Sequence, residues 1–306
     1  VTDYRALLAA IAVPRLSGTA VNLQIREVLK RELAARGFVV MEHGFTGRSL
    51  LRRLGRAPLE GVNLIGVRPR ARVSVWLAAH YDSKGQPLSM ATRLAAAALA
   101  TLGALELLGL VVRALLGPLH PGVPDVLAGA VGVVGVLLLA ANRVNNRSAG
   151  AVDNAAGVVA VLATLDALPP DAGVGVLFPD AEEYGLLGAR ALVRERANLL
   201  GDTCIVNFDG IDDRGSTIAL IHRPGPTMER VAAALGARRA RWLPVLVDGL
   251  VLAGAAREGG TIMRGDWGTA TIVHTPRDAA ERLTLDGVRE VARGVASALL
   301  SGRVDG

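Results

Sequence analysis

Cysteine is nearly absent from this 306-residue chain. Cys204 is the only one, which excludes an internal disulfide framework and any cysteine pair spaced to hold a metal. Its neighbours Thr203, Ile205 and Val206 are strand formers, so the thiol is expected to be buried and inert. Aromatic residues make up 3% and apolar residues 51%, so the hydrophobicity comes from Ala, Val, Leu and Gly, a composition that suits buried parallel strands and membrane helices. Lysine is limited to Lys30 and Lys84, and the net charge of +6 rests on arginine. The arginines are spread out and not interleaved with aromatics, so no nucleic-acid partner is expected; they read as solvated surface first and as contact with anionic lipid second. Residues 1–16 hold no cationic region followed by an apolar run and a small-residue cleavage site, so no cleavable signal peptide is visible.

The length permits one large core. Val21, Leu23, Val28, Leu29 and Leu33 at helical spacing, closed by Gly37, predict a helix over 19–37, followed by a strand at 38–41. The basic stretch 44–61 reads as an exposed loop, and 63–67 and 73–79 as buried strands. From Asp153 the pattern alternates: helix 153–168, strand 173–178, helix 186–200, strands 204–208 and 217–221, helix 226–235, strand 270–273 and helix 285–300. Such alternation predicts an α/β three-layer sandwich, a largely parallel sheet covered by helices on both faces.

Residues 89–142 interrupt this pattern. Two apolar runs, 94–112 and 126–141, flank a connector with Gly117, Pro118, Pro121, Gly122 and Pro124, which reads as a helical hairpin inserted into a unit made of 1–88 and 143–306. A membrane span needs about 20 apolar residues. The first run meets that; the second is short unless 123–125 extend it. Glu106 is expected to face the partner helix or an oligomer contact, while Ala100, Ala104, Ala128 and Gly132 permit close helix packing. Lys84, Arg93, Arg143 and Arg147 lie on the side where the hairpin begins and ends, against Arg113 at its tip, which favours a membrane location with the main unit in the cytoplasm. A soluble lid or a dimerisation arm is the alternative.

Five segments place His or carboxylates at predicted strand ends or the turns after them, where open α/β sheets build their sites. They are Ala79 to Ser83 (AHYDS), Gly150 to Asn154 (GAVDN), Asp180 to Gly185 (DAEEYG), Asn207 to Gly210 (NFDG) and His274 to Asp278 (HTPRD). Two imidazoles and three carboxylates form a ligand set suited to paired zinc ions, and the doublet Glu182-Glu183 allows one glutamate to bind metal while the other handles a proton. His43, His120 and His222 have no carboxylate partner in a comparable motif and read as structural; Asp212, Asp213 and Asp278 read as turn residues, Asp278 with the option of supporting the His274 loop. Trp267 reads equally as pocket lining or as packing.

In their order, the segments HYDS, DNAAG, AEEYGLLGAR, NFD and HTPRD resemble the metal-site motifs of the M28 metallopeptidases, a family that includes aminopeptidases and relatives of the glutaminyl cyclases. The resemblance implies a central mixed sheet and a site with two zinc ions per chain. His80 and Asp209 would bind one zinc, Glu183 and His274 the other, and Asp153 would bridge them. Glu182 would be the general base, and Asp82 would orient the His80 imidazole. An aminopeptidase acting on peptides is the implied activity. Glutaminyl cyclisation or deacylation of a lipid-linked amide on the same scaffold is the alternative chemistry, and a membrane scaffold without catalysis the alternative of another class. The expected partners are a peptide or other amide substrate, membrane lipid through the hairpin, and a second copy of the chain.

Overall fold

The computed structural model describes residues 2–49, 57–118 and 120–302. The elements, in chain order, are α1 (Tyr4–Ile11), α2 (Ala20–Ala35), β1 (Val39–Gly47), β2 (Leu59–Val67), β3 (Val75–Ala78), α3 (Met90–Leu116), α4 (Val123–Ala141), α5 (Ala156–Asp166), β4 (Val174–Phe178), α6 (Leu187–Arg196), β5 (Cys204–Ile211), β6 (Ser216–Arg223), α7 (Pro226–Ala234), β7 (Arg238–Ala240), α8 (Asp248–Gly254), β8 (Glu258–Gly265), α9 (Trp267–Ile272) and α10 (Asp286–Ser301). Eight strands form one mixed sheet in the order β1-β2-β4-β3-β5-β8-β6-β7. Its centre, β4-β3-β5-β8, is parallel; β1, β2 and β6 join antiparallel at the flanks.

Strand alternation divides the core into two layers. Leu64, Leu77, Val176 and Val206 point to the face covered by α1, α2, α5, α7 and α10. Their neighbours Ile65, Trp76, Leu177 and Ile205 point to the opposite face, covered by α6 and α8. Burial on both faces explains why these strands read as continuous apolar runs. Cys204 is buried at the start of β5.

Two expectations are corrected. The segment 270–273 is not a strand: β-branched residues suggested one, but Asp266 caps the helix α9 by accepting from the Thr269 N–H at 3.0 Å, and the run ends there. The strand that fills this place is β8, whose Gly259 and Gly260 mask any apolar pattern. A Cβ on Gly260 would stand 2.8 Å from the Leu220 carbonyl oxygen, so the close approach of neighbouring strands requires the glycine. Nor is 44–61 a single loop, because β1 runs on to Gly47 and β2 begins at Leu59. β1 is an edge strand with polar, exposed positions, which hides its alternation. Residues 50–56 of that expected loop lie outside the described residues.

The hairpin is present. α3 has 27 residues and α4 has 19, both long and apolar enough to cross a membrane by length and composition. α4 gains its first turn because Pro124 falls where a helix tolerates proline, with Asp125 accepting the Gly122 N–H at 2.6 Å. The helices approach most closely at Gly103 and Gly132, where a Cβ on either would stand 2.4–2.5 Å from the Cα of the other. Glu106 pairs along its own helix with Arg113 at 3.4 Å, and Arg113 in turn reaches Asp125 of α4 at 2.6 Å. At the base the two ends are tied together by the paired backbones of Gly85 and Asn145 and by the Leu88 N–H donating to Asn142 Oδ1 at 2.9 Å.

Candidate metal centre

β4, β3 and β5 are parallel, so their C-terminal ends open on one edge of the sheet. The turn after β3 delivers His80 and Asp82, the single-turn segment Glu182–Tyr184 after β4 delivers Glu182 and Glu183, and Asp209 lies in the second half of β5. Asp153 comes from the irregular turn Ala151–Ala155 that leads into α5, in which the Asp153–Asn154 peptide is cis. That turn is pinned to β5 by Asn154, whose amide donates to the Phe208 carbonyl at 2.8 Å. His274 follows α9 with a positive φ of 65°.

Six of these side chains, all but Asp82, converge in two groups. Asp153 Oδ1 lies 3.1 Å from Nε2 of His80, and Oδ2 lies 2.9 Å from Nε2 of His274, itself 3.2 Å from Glu183 Oε1. The donor atoms of Asp153, Glu183 and His274 all fall within 4.8 Å of one another, and so do those of His80, Glu182 and Asp209. The second group contains Glu182 where the family resemblance implied Asp153, but the short reach from Asp153 to His80 leaves that carboxylate within range of both groups.

The donor chemistry fits divalent metal ions. Four carboxylates buried with two imidazoles require compensating positive charge. Glu183 Oε1 and His274 Nε2 are buried without a hydrogen bond, as lone pairs directed at a common cation would be. His80 Nδ1 is 3.2 Å from the Asp82 carbonyl, a contact that favours the ring proton on Nδ1 and leaves Nε2 facing the cluster, where it would serve a metal.

Burial alone would depress the His80 pKa, but Glu182, Asp153 and Asp82 outweigh it and hold it well above the usual value. Burial pushes the Glu182 carboxyl well above the ordinary carboxylate range, and the charges of Glu183, Asp209 and Asp248 add to the shift. Burial acts the same way on Glu183, yet His274 and Lys84 hold that group down at about 2. The two glutamates are therefore pushed in opposite directions, Glu182 up and Glu183 down.

Neighbouring groups hold these residues in place. Asp82 accepts the backbone N–H groups of Glu182 at 3.2 Å and Glu183 at 3.3 Å, so the carboxylate beside His80 also sets the glutamate turn. Asp278 accepts the N–H groups of Val152 at 2.7 Å and Asp153 at 3.3 Å; it supports the Asp153 turn as well as closing its own. Buried Arg15 donates to the carbonyls of Tyr81 at 2.7 Å and Gly150 at 3.0 Å, clamping the two turns together.

Four residues near the centre were not singled out by the sequence as part of it. Lys84 stands 2.6 Å from Glu183 Oε2, leaving Oε1 free; its signal was its place two residues beyond Asp82. Arg93, in the first turn of α3, contacts Nδ1 of His274 and Gln86 Oε1. A guanidinium only donates, so when Nε2 takes a metal and Nδ1 keeps the ring proton, Gln86 remains its acceptor. Asp248 opens α8 with both oxygens buried and without a hydrogen bond among the described residues, and burial pushes its pKa to about 7. Arg15 gave no motif at all. His43 pairs with Glu195 at 2.9 Å, away from the centre.

A cavity of about 600 Å³ opens at the cluster, lined by Asp153, Glu182, Asp209 and His274 and by apolar side chains that include Ile218, Leu246, Met263 and Trp267. A family model described as peptidase family M28 matches residues 63–299. The chain belongs to peptidase family M28. Among solved structures, this M28 chain is similar to a Zn-dependent exopeptidase from Parabacteroides distasonis, with a TM-score of 0.64 and 18% identity over 97% of this chain and 95% of the other. It is similar to the Porphyromonas gingivalis glutaminyl cyclase, with a TM-score of 0.63 and 16% identity over 98% and 97%. It is also similar to BSAP, a zinc aminopeptidase from Bacillus subtilis, with a TM-score of 0.64 and 11% identity over 98% and 94%. At these identities the likeness is one of fold. No match is found among curated proteins.

Proposed function

We propose that this M28 chain is a zinc-dependent aminopeptidase that holds two zinc ions, with His80 and Asp209 at one, Glu183 and His274 at the other, and Asp153 shared. The observation that carries the reading is the division of Asp153, whose two oxygens face two different imidazoles. Zinc in such a pair supplies Lewis acidity at the scissile carbonyl and lowers the pKa of the attacking water to about 7. Glu182 takes one proton from that water as its oxygen bonds to the carbonyl carbon, and returns the proton to the nitrogen when the C–N bond breaks. Lys84 keeps Glu183 ionised and fixed, so of the two glutamates only Glu182 is free to exchange protons. Asp82 positions the turn that bears both.

We also propose that α3 and α4 cross a membrane and tether the catalytic unit on its cytoplasmic side. Their exposed leucines and valines, including Leu105, Leu108, Val133 and Leu137, support this.

Glutaminyl cyclisation would favour one zinc and release ammonia, so one assay separates the chemistries. Purified, zinc-loaded protein in detergent is offered a peptide with a free N-terminus, its Nα-acetylated twin and a peptide beginning with Gln. Release of a free amino acid from the unblocked peptide alone supports the aminopeptidase. Ammonia release from the Gln peptide without peptide-bond cleavage, or cleavage of the acetylated twin, overturns it.

A further inference from the structure

The membrane hairpin and the active-site cavity share residues. Met90 and Arg93, in the first turn of α3, line the cavity, and Arg93 touches His274. Leu94, the next residue, opens the apolar run of the helix, and one residue advances a helix by only about 1.5 Å. If α3 enters the bilayer where its apolar run starts, the metal centre lies one arginine side chain away from the hydrocarbon boundary. The charged head of Arg93 belongs at that depth, with its stem towards the lipid.

The remaining rim of the cavity has the same character. The irregular segment after β7 contributes Leu243 and Leu246 to the lining; Leu246 is 66% exposed and Trp242, beside it, 76%. Trp267, on the helix α9 that packs against α3, lines the cavity and is 66% exposed. Two indoles left in water are costly for a soluble surface, whereas indoles concentrate at the headgroup level of a bilayer. Exposed Arg238 and Arg241 precede Trp242 and make no ion pair among the described residues, which complements anionic lipid headgroups.

We infer that the mouth of the cavity rests on the bilayer surface, with Trp242, Leu246 and Trp267 in the headgroup layer, and that the substrate is the free N-terminal end of a polypeptide held in the membrane by an apolar anchor. The substrate class rests on the aminopeptidase reading; the bilayer contact does not. Water adds its hydroxyl to the terminal carbonyl and a proton to the leaving nitrogen, so an amino acid is released to the water and the shortened chain stays in the lipid. Anchored substrate reaches the cavity by diffusion in the plane, at a local concentration that free peptide does not attain.

The test uses the full-length, zinc-loaded protein in vesicles of phosphatidylcholine and phosphatidylglycerol. With brominated acyl chains, tryptophan emission is expected to be quenched in the wild type and largely unquenched in the Trp242→Phe, Trp267→Phe double variant, whose remaining Trp76 is in the core. Equal quenching in the two proteins overturns the contact. One peptide is then offered free in solution and with an acyl chain at its C-terminal end. The anchored form is expected to be cleaved with kcat/KM about tenfold higher or more. Trp242→Ser, which does not line the cavity, should lower cleavage of the anchored form severalfold and leave the free form unchanged. Equal cleavage of both forms overturns the substrate class while the peptidase stands. Loss of both cleavages with quenching intact overturns the aminopeptidase reading, and with it the substrate class, while the bilayer contact stands.

Discussion

The carboxylate of Asp278 accepts the backbone N–H of Asp153, at 3.3 Å, while its other oxygen takes the N–H of Val152. One acid thus fixes the main chain of another across 125 residues of sequence. Asp278→Ala strands both N–H groups in the interior, each at a cost of about 1–3 kcal/mol. The expected result is a lower Tm together with reduced zinc content, read by calorimetry and metal analysis, with Asp278→Asn falling between because it keeps one acceptor. Unchanged zinc content in Asp278→Ala would show that the turn holds without it.

The two adjacent glutamates should separate cleanly. Glu182→Gln keeps the shape but cannot accept a proton, so turnover should fall by about 10²–10⁴-fold with zinc content nearly intact. Glu183→Gln should instead lower zinc occupancy and leave Lys84 without its ion pair. Parallel measurement of kcat and bound zinc decides between them, and near-normal turnover in Glu182→Gln removes that residue from the base role.

Zinc titration of the metal-free protein should saturate at two ions per chain. Asp153→Asn, placed between both imidazoles, should weaken both sites, whereas Asp209→Asn should weaken one. A single saturating ion in the wild type would favour the cyclase chemistry.

How far the centre could be read from the sequence depended on where its parts lie along the chain. His80, Glu182, Glu183 and Asp209 follow or end apolar strands, so a carboxylate or imidazole at the close of an apolar run marked each of them. Arg15 and Asp248 left no such mark. Arg15 acts through backbone carbonyls, which carry no side-chain signature, and Asp248 opens a helix of only 7 residues. β8 escaped for a related reason, since its paired glycines answer to the strands beside it and not to any pattern of its own. The sequence around Asp278 points to its own turn and to the His274 loop beside it, whereas its carboxylate reaches a distant segment.

His222 supplies a pH prediction away from the metal centre. Burial lowers its pKa from the usual 6.5 to about 4, with Nε2 2.9 Å from the Thr261 hydroxyl. The unfolded chain therefore takes up the proton first: the stability held by the neutral ring is complete above pH 6.5 and is lost as pH falls towards 4. His222→Gln cannot take up that proton. The Tm of the variant relative to wild type should rise as pH falls through this window, and a pH-independent difference would place the ring in water.

Replacing residues 94–141 with a short flexible linker should yield a catalytic unit soluble without detergent, because residues 88 and 142 are already hydrogen-bonded at the base. The full-length protein should require detergent. A full-length chain that is monodisperse in plain buffer would rule out the bilayer.

The same tie at the hairpin's base shortens the loop that separates two residues of the site. His80 and Asp153 are 73 positions apart, but once Gly85 and Asn145 are paired the helices drop out of the loop that must be closed, leaving only short arms. By the logarithmic dependence of closure entropy on loop length, this lowers the cost of bringing the two residues together by about 1.5 kcal/mol. The tie thus makes two residues far apart in sequence near neighbours along the chain path, whatever the hairpin between them does.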